Sequence, residues 1–398
     1  DWSVGLFGYY DAKRSEAPVH FTYEGLSTII NSGLKALKRR APGMPDLVYI
    51  DPTRSDKSNL NSFRMPDWGV ALYHESALHL SPAWTITGGL RLDYEHHAIS
   101  YLSEGYELGV GISGANRPLG VAKPAHLEGT QSVGYWHLIP RLSVSWRPTD
   151  RLHAYATITR GLKTGGFNEQ SFSDLVSTAQ QQDLQASLSH RGGFDPATIP
   201  SHTTYKPEHS WSYELGMRYS QPHLGLDLSA SAYLMQVRDL QLTRFVASGA
   251  GRMVGNAGAS RTLGLELTAS KSLWSSLRAH LSYSLTDARF TEDVKTAPRG
   301  NFVPFIPRHT YSVMLSLHEP IARDWRLLGE VESSGIGEVY WREDNSAKEP
   351  LQSTLRARLG ASYRRYTLAV WGANLLDNSY IVFQAASPLG RLYQTSAP

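Results

Sequence analysis

The sequence contains no cysteine among its 398 residues. This absence excludes disulfide scaffolds, thiol catalysis and cysteine-based zinc or iron–sulfur sites. The sequence also lacks any run approaching the roughly 18 consecutive apolar residues that a membrane-spanning helix needs, which excludes a bundle of membrane helices. A membrane β-barrel stays possible, because each of its strands exposes only one face to lipid.

An excess of charge of either sign is also missing. Lys and Arg number 39 against 36 Asp and Glu, for a formal net charge of +3. Bulk electrostatics therefore gives no support to a nucleic-acid partner. The sequence has no nucleophile-elbow pattern and no phosphate-binding glycine loop, so we predict no enzyme activity, no catalytic residue and no cofactor.

One histidine-rich phrase, Glu95-His96-His97, offers candidate metal ligands. Adjacent residues of a strand point to opposite faces, so at most two of these three side chains can converge. A solvated strand end explains the phrase more simply. We therefore predict no metal site.

Aromatic residues with a polar atom are abundant, with 21 Tyr and 10 Trp against 11 Phe. Such rings are favoured where one end is dry and the other is wet, as at a membrane interface. A soluble all-β protein with a tyrosine-rich core has the same composition. Composition alone leaves both possibilities open.

Apolar and polar side chains alternate with period two in many segments. Tyr213, Leu215, Met217 and Tyr219 alternate with Ser212, Glu214, Gly216 and Arg218, and the segments 226–234, 263–269, 277–285 and 355–363 behave alike. This pattern predicts strands with one dry and one wet face. In a wide barrel the apolar sets, such as Leu226, Leu228 and Ala230, would face lipid. The charged residues would face the lumen, namely Glu214, Arg218, Glu266 and Arg358.

Short and long connections alternate strictly along the chain. Short turns are predicted near 81–82, 147–150, 220–223, 272–275, 319–323 and 364–365, and long connections near 12–65, 98–131, 162–205, 240–256, 289–306 and 336–350. Outer-membrane barrels have this arrangement, with tight periplasmic turns and long extracellular loops. Up-and-down soluble barrels and propellers come close to it.

The pattern predicts about thirteen strands. They lie near 2–11, 66–80, 83–98, 136–147, 150–161, 207–220, 223–240, 256–272, 275–289, 308–319, 323–335, 351–364 and 366–375. Helix is expected only inside the long connections, at Asp174 to Ser189 and at Leu26 to Arg39.

Several phrases along the chain have a recognisable order and spacing. They are Arg160-Gly161-Leu162-Lys163-Thr164-Gly165-Gly166-Phe167-Asn168, Tyr205-Lys206-Pro207-Glu208, Asp239-Leu240-Gln241, Asn256-Ala257-Gly258, Gly264-Leu265-Glu266-Leu267, Pro307-Arg308-His309-Thr310 and Asn374-Leu375-Leu376-Asp377-Asn378-Ser379-Tyr380. Together they resemble the barrel half of TonB-dependent receptors. Most of these residues have architectural roles: paired glycines allow positive φ where a strand breaks, and a proline opens a strand where its missing N–H is not needed.

This resemblance implies an all-β fold, a transmembrane antiparallel β-barrel in the bacterial cell outer membrane. We expect residues 1–398 to form one partial barrel domain, with about thirteen of the 22 strands that the family's barrels have. The family's N-terminal plug domain and the segment that binds TonB are not found in this sequence. The implied partners of the whole protein are TonB through that absent segment, a small ligand, and outer-membrane lipid with lipopolysaccharide.

Loops on a rigid scaffold carry specificity, so ligand contacts are predicted in the long connections. The candidates are Tyr101, Tyr106, Phe167, Phe172, Arg191, Phe194, Arg244, Phe245, Arg299, Phe302, Tyr340, Trp341 and Arg342. Aromatic rings with arginine suit an anionic, flat or catecholate-bearing ligand. For any one residue, an aromatic girdle at the membrane interface is an alternative.

The resemblance implies import of a metal complex energised from the inner membrane. The family's haem importers carry a Phe-Arg-Ala-Pro motif that does not occur here, which favours a ferric siderophore. Cobalamin, haem and an oligosaccharide stay open as ligands, and so does a passive channel or adhesion barrel.

Overall fold

The computed structural model describes residues 1–398 except 41, 42, 44, 52, 53, 115–119, 123, 190–193, 246–251, 294–296, 388, 389, 397 and 398. The strands are β1 (Trp2–Glu16), β2 (Val19–Phe21), β3 (Leu47–Ile50), β4 (Lys57–His79), β5 (Trp84–Glu104), β6 (Leu108–Ile112), β7 (Gly120–Ala122), β8 (His126–Thr149), β9 (Leu152–Lys163), β10 (Gly166–Phe167), β11 (Thr204–Tyr205), β12 (Glu208–Gln221), β13 (Leu226–Arg238), β14 (Gln241–Phe245), β15 (Arg252–Asn256), β16 (Ser260–Ser272), β17 (Leu277–Phe290), β18 (His309–Ala322), β19 (Trp325–Gly337), β20 (Val339–Tyr340), β21 (Lys348–Glu349), β22 (Gln352–Tyr363), β23 (Tyr366–Gly372), β24 (Ile381–Ser387) and β25 (Gly390–Thr395). The helices are α1 (Tyr23–Arg40), α2 (Ser171–Ser189) and α3 (Ile199–Thr203), with single 3₁₀ turns at Pro196–Thr198 and Pro222–Leu224.

Thirteen long strands form one antiparallel wall. Its order is β1-β4-β5-β8-β9-β12-β13-β16-β17-β18-β19-β22-β23, so each strand pairs with the next wall strand along the chain. All thirteen predicted strands are confirmed, and so is the alternation of short and long connections. The two predicted helices are also confirmed, as α2 and α1. No described helix is long and apolar enough to cross a bilayer.

The wall strands are longer than predicted at the end where the long connections lie. β4 begins at Lys57 rather than near 66, and β8 begins at His126 rather than near 136. Most outward positions there are polar, as Ser62 and Arg64 show, so the contrast between the two faces weakens. The alternation therefore predicts only the apolar part of each strand.

The register separates the side chains into two faces, as predicted. Leu215, Ala232, Leu265 and Leu285 lie opposite one another across four strands. The adjacent row places Gly216, Ser231, Glu266 and Ser284 on the other face. We call the leucine-rich side the outer face and the charged side the inner face.

Apolar side chains of the outer face are solvent-accessible, with Leu215 exposed by 63% and Leu359 by 64%. Glu214, Arg218 and Arg358 alternate with such residues and therefore lie on the inner face. A wall that exposes an apolar surface on one side and charge on the other suits a barrel between lipid and a polar interior.

Buried side chains gather on the inner side, toward the long connections. The first hydrophobic core joins α2 to β4, β5 and β8, through Phe172, Phe63, Ile99 and Leu127. Phe172 is completely buried. Each such ring stabilises the docked helix by about 1.5–3 kcal/mol. The long connections therefore fold onto the wall.

Candidate functional site

The long connections are tied together by hydrogen bonds between distant residues. The Asn168 side chain donates to the carbonyl oxygen of Val254 at 2.8 Å and accepts from its N–H at 2.8 Å. The Gln241 side chain donates to the backbone oxygens of Thr164 and Lys206 at 2.7 and 3.0 Å. The connection 164–207 and the hairpin β14–β15 thus form one assembly at this rim.

Arg244, on that hairpin, makes a two-pronged ion pair with Glu343 of the connection 338–351. The guanidinium Nε and Nη2 donate to the two carboxylate oxygens at 2.7 and 2.8 Å. The Asn301 side chain donates to the backbone oxygen of Glu343 at 3.0 Å. The Arg244 side chain is 34% exposed. A partly exposed guanidinium in this geometry can also bind an external anion.

Aromatic residues adjoin the segments of both partners of this ion pair: Trp341 lies two positions before Glu343, and the Arg252 guanidinium of β15 lies 5.4 Å from the Phe383 centroid. Trp341 is 8% exposed, and its indole Nε1 is buried without a hydrogen-bond partner among the described residues. Phe305 makes an edge contact with Trp341, with 5.8 Å between centroids, and stacks on Phe383 at 5.9 Å. We call Arg244, Glu343, Phe305, Trp341 and Phe383 the inner cluster.

The inner cluster adjoins a hydrophobic core on the inner face of β17. Ala288 and Phe290 of β17 are buried in this core, together with Val303. Leu240 and Leu242 pack against this core. Leu242 belongs to β14, the strand that also carries Arg244, and Leu240 directly precedes that strand. The core therefore places Arg244 on the inner side of the wall.

Phe302 and Tyr340 lie on the opposite side of the wall. Phe302 forms a β-bridge with Arg289, which shares the outer face with Leu263 and Leu265. The Phe302 and Tyr340 rings stack with centroids 4.8 Å apart and planes 7° apart. The guanidiniums of Arg289 and Arg308 lie 3.9 and 4.6 Å from the Phe302 centroid. We call Phe302, Tyr340, Arg289 and Arg308 the outer cluster.

The other predicted ligand contacts are dispersed. Tyr101 and Phe172 belong to the first core, against which Phe167 and Phe194 pack. Tyr106 packs in a second core, and burial raises its pKa. These rings pack against the protein itself. They were predicted as ligand contacts from residue type alone, which does not indicate burial.

Two predicted arginines lie near the surface. Arg299 is exposed, and no aromatic ring lies against it among the described residues. Arg342 forms an ion pair with Asp344 at 3.3 Å. The pKa of the Asp344 carboxyl lies below its ordinary value, because the hydroxyl and N–H of Ser346 donate to it. Arg191 and the Phe245 side chain lie outside the described residues.

A buried polar network was not predicted from the sequence. His97 lies 3.1 Å from Asp67 and 2.9 Å from the Thr164 hydroxyl, which donates to Glu95 at 2.6 Å. The Nε2 atom of His137 lies 3.6 Å from the Glu95 carboxylate. His97 and His137 come from the neighbouring strands β5 and β8, and only the pairing of these strands brings them to the same carboxylate, Glu95.

The phrase Glu95-His96-His97 divides between the two faces, as predicted, but the expectation of a solvated strand end was wrong, because the phrase lies inside β5 and His97 is buried. Glu95 and His97 lie on the inner face, and His96 stacks on Trp68 on the other face, with 5.5 Å between centroids. Among the described residues, no group of three His, Asp or Glu side chains is arranged to hold a metal ion. The network instead anchors Thr164, which directly follows the end of β9 at Lys163.

The inner face also contains a cleft of about 730 Å³ toward the short turns. Its polar lining includes Arg147, Arg218, Asp227, Glu332 and Arg356. Arg356 pairs with Glu332, and the Ser312 hydroxyl donates to Glu332 at 2.6 Å. The inner face is therefore concave and hydrophilic here.

A protein-family model described as TonB dependent receptor-like, beta-barrel, matches residues 6–375. The match covers the thirteen wall strands almost completely.

Several solved structures with a similar architecture are described as receptors. The ferric yersiniabactin uptake receptor of Yersinia pestis is 18% identical, with a TM-score of 0.64, over 99% of this chain and 53% of its own. The ferric-catecholate import receptor of E. coli K12 is 14% identical, with a TM-score of 0.55, over 100% and 54%. The siderophore receptor of Acinetobacter baumannii is 15% identical, with a TM-score of 0.59, over 86% and 43%. The chain thus spans about half the length of these structures.

Proposed function

The chain belongs to the TonB-dependent receptor β-barrel family, and from that premise we propose that it is part of an outer-membrane receptor that imports a ferric siderophore. In this proposal residues 1–398 supply thirteen strands of the barrel wall. The plug domain and the segment that contacts TonB belong to a part of the protein outside these residues. Energy from the inner membrane drives the import.

The inner cluster is the observation that carries the ligand assignment. It combines a partly exposed guanidinium, Arg244, with the rings of Phe305 and Trp341. Guanidinium groups bind carboxylate and phenolate oxygens with paired hydrogen bonds, and aromatic faces stack on flat ligands. An anionic, partly aromatic iron chelate satisfies both requirements better than a neutral sugar does.

The geometry of the ion pair suggests how such a ligand binds. Glu343 holds Arg244 in a fixed orientation through two hydrogen bonds. An anionic ligand competes with the Glu343 carboxylate for the same N–H groups. The Trp341 Nε1, two positions before Glu343 and without a hydrogen-bond partner among the described residues, offers an additional donor.

The inner face supports the transport part of the proposal. Charged and hydroxyl side chains line the cleft below the inner cluster, including Arg218, Asp227 and Glu332. A hydrophilic passage suits a charged cargo because polar groups replace its hydration shell. The solved neighbours contribute the fold to this argument, and the ligand assignment depends on the chemistry of the inner cluster.

Binding to purified full-length protein tests the ligand assignment. Dissociation constants are measured with ⁵⁵Fe-loaded catecholate and hydroxamate siderophores for the wild type, Arg244→Gln, Glu343→Gln and Arg365→Gln. We expect Arg244→Gln to weaken binding about ten- to hundredfold, the effect of one lost charge-assisted contact. Glu343→Gln removes the competing carboxylate and is expected to strengthen binding.

Arg365→Gln is the control, because it removes an arginine at a short turn on the opposite rim. Equal binding by all four proteins would reject the inner cluster as the ligand site. Absence of siderophore binding together with tight binding of cobalamin, haem or an oligosaccharide would reject the ligand class.

A further inference from the structure

Two arginines face each other on the outer face of the wall. Arg261 of β16 lies directly opposite Arg289 of β17. Like charges directly opposite each other destabilise a sheet. Arg261 has no ion-pair partner in the described part of the chain, and it is exposed. Such a pair suggests an external anion.

The outer cluster adds a third guanidinium beside this pair. Arg289 and Arg308 both lie against Phe302, at 3.9 and 4.6 Å from its centroid. The Arg308 Nε atom is buried without a hydrogen-bond partner among the described residues. Cation–π contacts with Phe302, whose ring stacks on Tyr340, hold these guanidiniums in place.

Nearby carboxylates balance only part of this charge. Asp287 pairs with Arg289 at 2.7 Å, and Glu338 pairs with Arg308 at 2.8 Å. Lys348 also donates to Glu338. Four cations, Arg261, Arg289, Arg308 and Lys348, therefore surround two carboxylates, and the local charge stays positive.

The position of this surface indicates what it meets. Leu263, two residues from Arg261 on the same face of β16, is 44% exposed, and Leu265 and Leu267 continue the apolar surface. Two residues of a strand span about 7 Å. The arginines thus lie just beyond the apolar band, at the long-connection end, where a bilayer changes from hydrocarbon to headgroups.

We propose that Arg261, Arg289 and Arg308 form a binding site for the phosphate groups of a phosphorylated glycolipid in the outer leaflet. Guanidiniums bind phosphate oxygens through paired, charge-assisted hydrogen bonds. The inference rests on the proposed membrane location and not on the imported ligand. Lipid acyl chains extend from the bound headgroup along Leu263 and Leu265.

Native mass spectrometry of the full-length protein in detergent tests this site. The probes are lipid A with two phosphates, the same lipid with both phosphates removed, and inorganic phosphate. The variants are Arg261→Gln/Arg308→Gln, Arg261→Lys/Arg308→Lys and Lys271→Gln. Lys271 lies on the same strand and the same face as Arg261, ten positions away at the short-turn end, and is the matched control.

We expect the wild type and the Lys271→Gln variant to bind the diphosphorylated lipid equally. The Arg261→Gln/Arg308→Gln variant is expected to bind it about tenfold more weakly or worse, and the double lysine variant to bind at an intermediate level. Retained resistance to dissociation in cold SDS gels shows that each variant is folded. Arg261→Gln alone, at an exposed position, replaces the double variant if that protein does not fold.

Two results would overturn the proposal. One is equal binding of the lipid with and without its phosphates, which indicates apolar contact alone. The other is an equal loss in Arg261→Gln/Arg308→Gln and Lys271→Gln, which indicates a nonspecific effect of charge. Because siderophore uptake is not measured here, neither result depends on the proposed transport function.

Discussion

Glycine 360 shows how closely two wall strands approach on the inner face. A Cβ atom at this position would lie 2.6 Å from the Leu368 backbone oxygen and 2.7 Å from the Ala369 Cβ atom. Neither neighbour is the end of a flexible side chain, so a substitution moves the backbone. Glycine is therefore required here by packing.

We expect Gly360→Ala to lower the free energy of unfolding by about 1–3 kcal/mol, as overpacking does. Gly88→Ala is the control, because a Cβ atom at Gly88 of β5 meets nothing within 4 Å. That substitution is expected to be neutral or to stabilise by about 0.5 kcal/mol through reduced backbone entropy. Urea titrations followed by tryptophan fluorescence compare the two, and equal midpoints would contradict the packing argument.

Glu338 makes the outer cluster sensitive to pH. Hydrogen bonds from Lys348 and Arg308 hold its pKa below the ordinary value of a glutamate. A depressed pKa stabilises the folded state at pH values above the unfolded pKa, about 4.3, and this contribution is lost as the pH falls through the folded pKa.

We therefore expect amide protection of residues 338–348, corrected for intrinsic exchange, to be constant between about pH 8 and 5 and to fall below about pH 4.3. Glu338→Gln should show reduced protection at neutral pH and little further change on acidification. A wild type and a Glu338→Gln variant with the same pH profile would show that this carboxylate has no such role.

Among the secondary-structure elements, the hairpin β14–β15 depends on Asn168. Its side chain makes two hydrogen bonds to the backbone of Val254, as a neighbouring strand would. Asn168→Ala leaves both Val254 groups without partners, which costs about 1–3 kcal/mol where they are buried. We expect faster amide exchange in residues 252–256.

Glu169→Gln is the matched control for Asn168→Ala. It removes the ion pair between Glu169 and the exposed Lys13 at 2.8 Å, and a pair with an exposed partner contributes about 0.2–1 kcal/mol. Exchange in residues 252–256 should stay unchanged in this variant. Equal exchange in both variants would mean that Asn168 does not fasten the hairpin.

Strands were predicted from the sequence wherever apolar and polar side chains alternate. All thirteen wall strands met this condition, because each has one apolar and one polar face. Strand ends such as Lys57–Arg64 were missed because they are mostly polar and their two apolar residues, Leu60 and Phe63, are three positions apart, so no period-two alternation appears. Inside the long connections, the short hairpins depend on contacts between distant segments, which alternation does not encode.

The candidate site was predicted less completely than the fold. Arg244, Phe302 and Trp341 were correctly singled out as residues of the long connections, but as one group. The register places Phe302 on the outer face, whereas Arg244 and Trp341 belong to the inner side. The partner of Arg244 is 99 positions away, at Glu343, and no local pattern connects the two.

At the scale of the whole molecule, the account depends on which face meets lipid. Leu265 is exposed on the outer face, and its neighbour Glu266 lies on the inner face. An arginine facing the bilayer midplane costs about 2–4 kcal/mol. We expect Leu265→Arg to reduce the fraction of protein that folds into lipid vesicles.

Ser231→Arg is the control for this prediction, because Ser231 lies opposite Glu266 on the inner face. This arginine is expected to be tolerated, since a carboxylate and water are both within its reach. Folding yields come from the gel mobility of the full-length protein after incubation with vesicles. A larger defect in Ser231→Arg than in Leu265→Arg would reverse the assignment of the two faces.

Energised uptake tests the central claim most directly. A strain without the gene, and the same strain carrying it, are supplied with ⁵⁵Fe-labelled siderophores, with and without a protonophore that removes the energy of the inner membrane. The account predicts that uptake of one siderophore is lost in the deletion strain, restored by the gene and abolished by the protonophore. Unchanged siderophore uptake, with lost uptake of cobalamin or an oligosaccharide, would contradict the account.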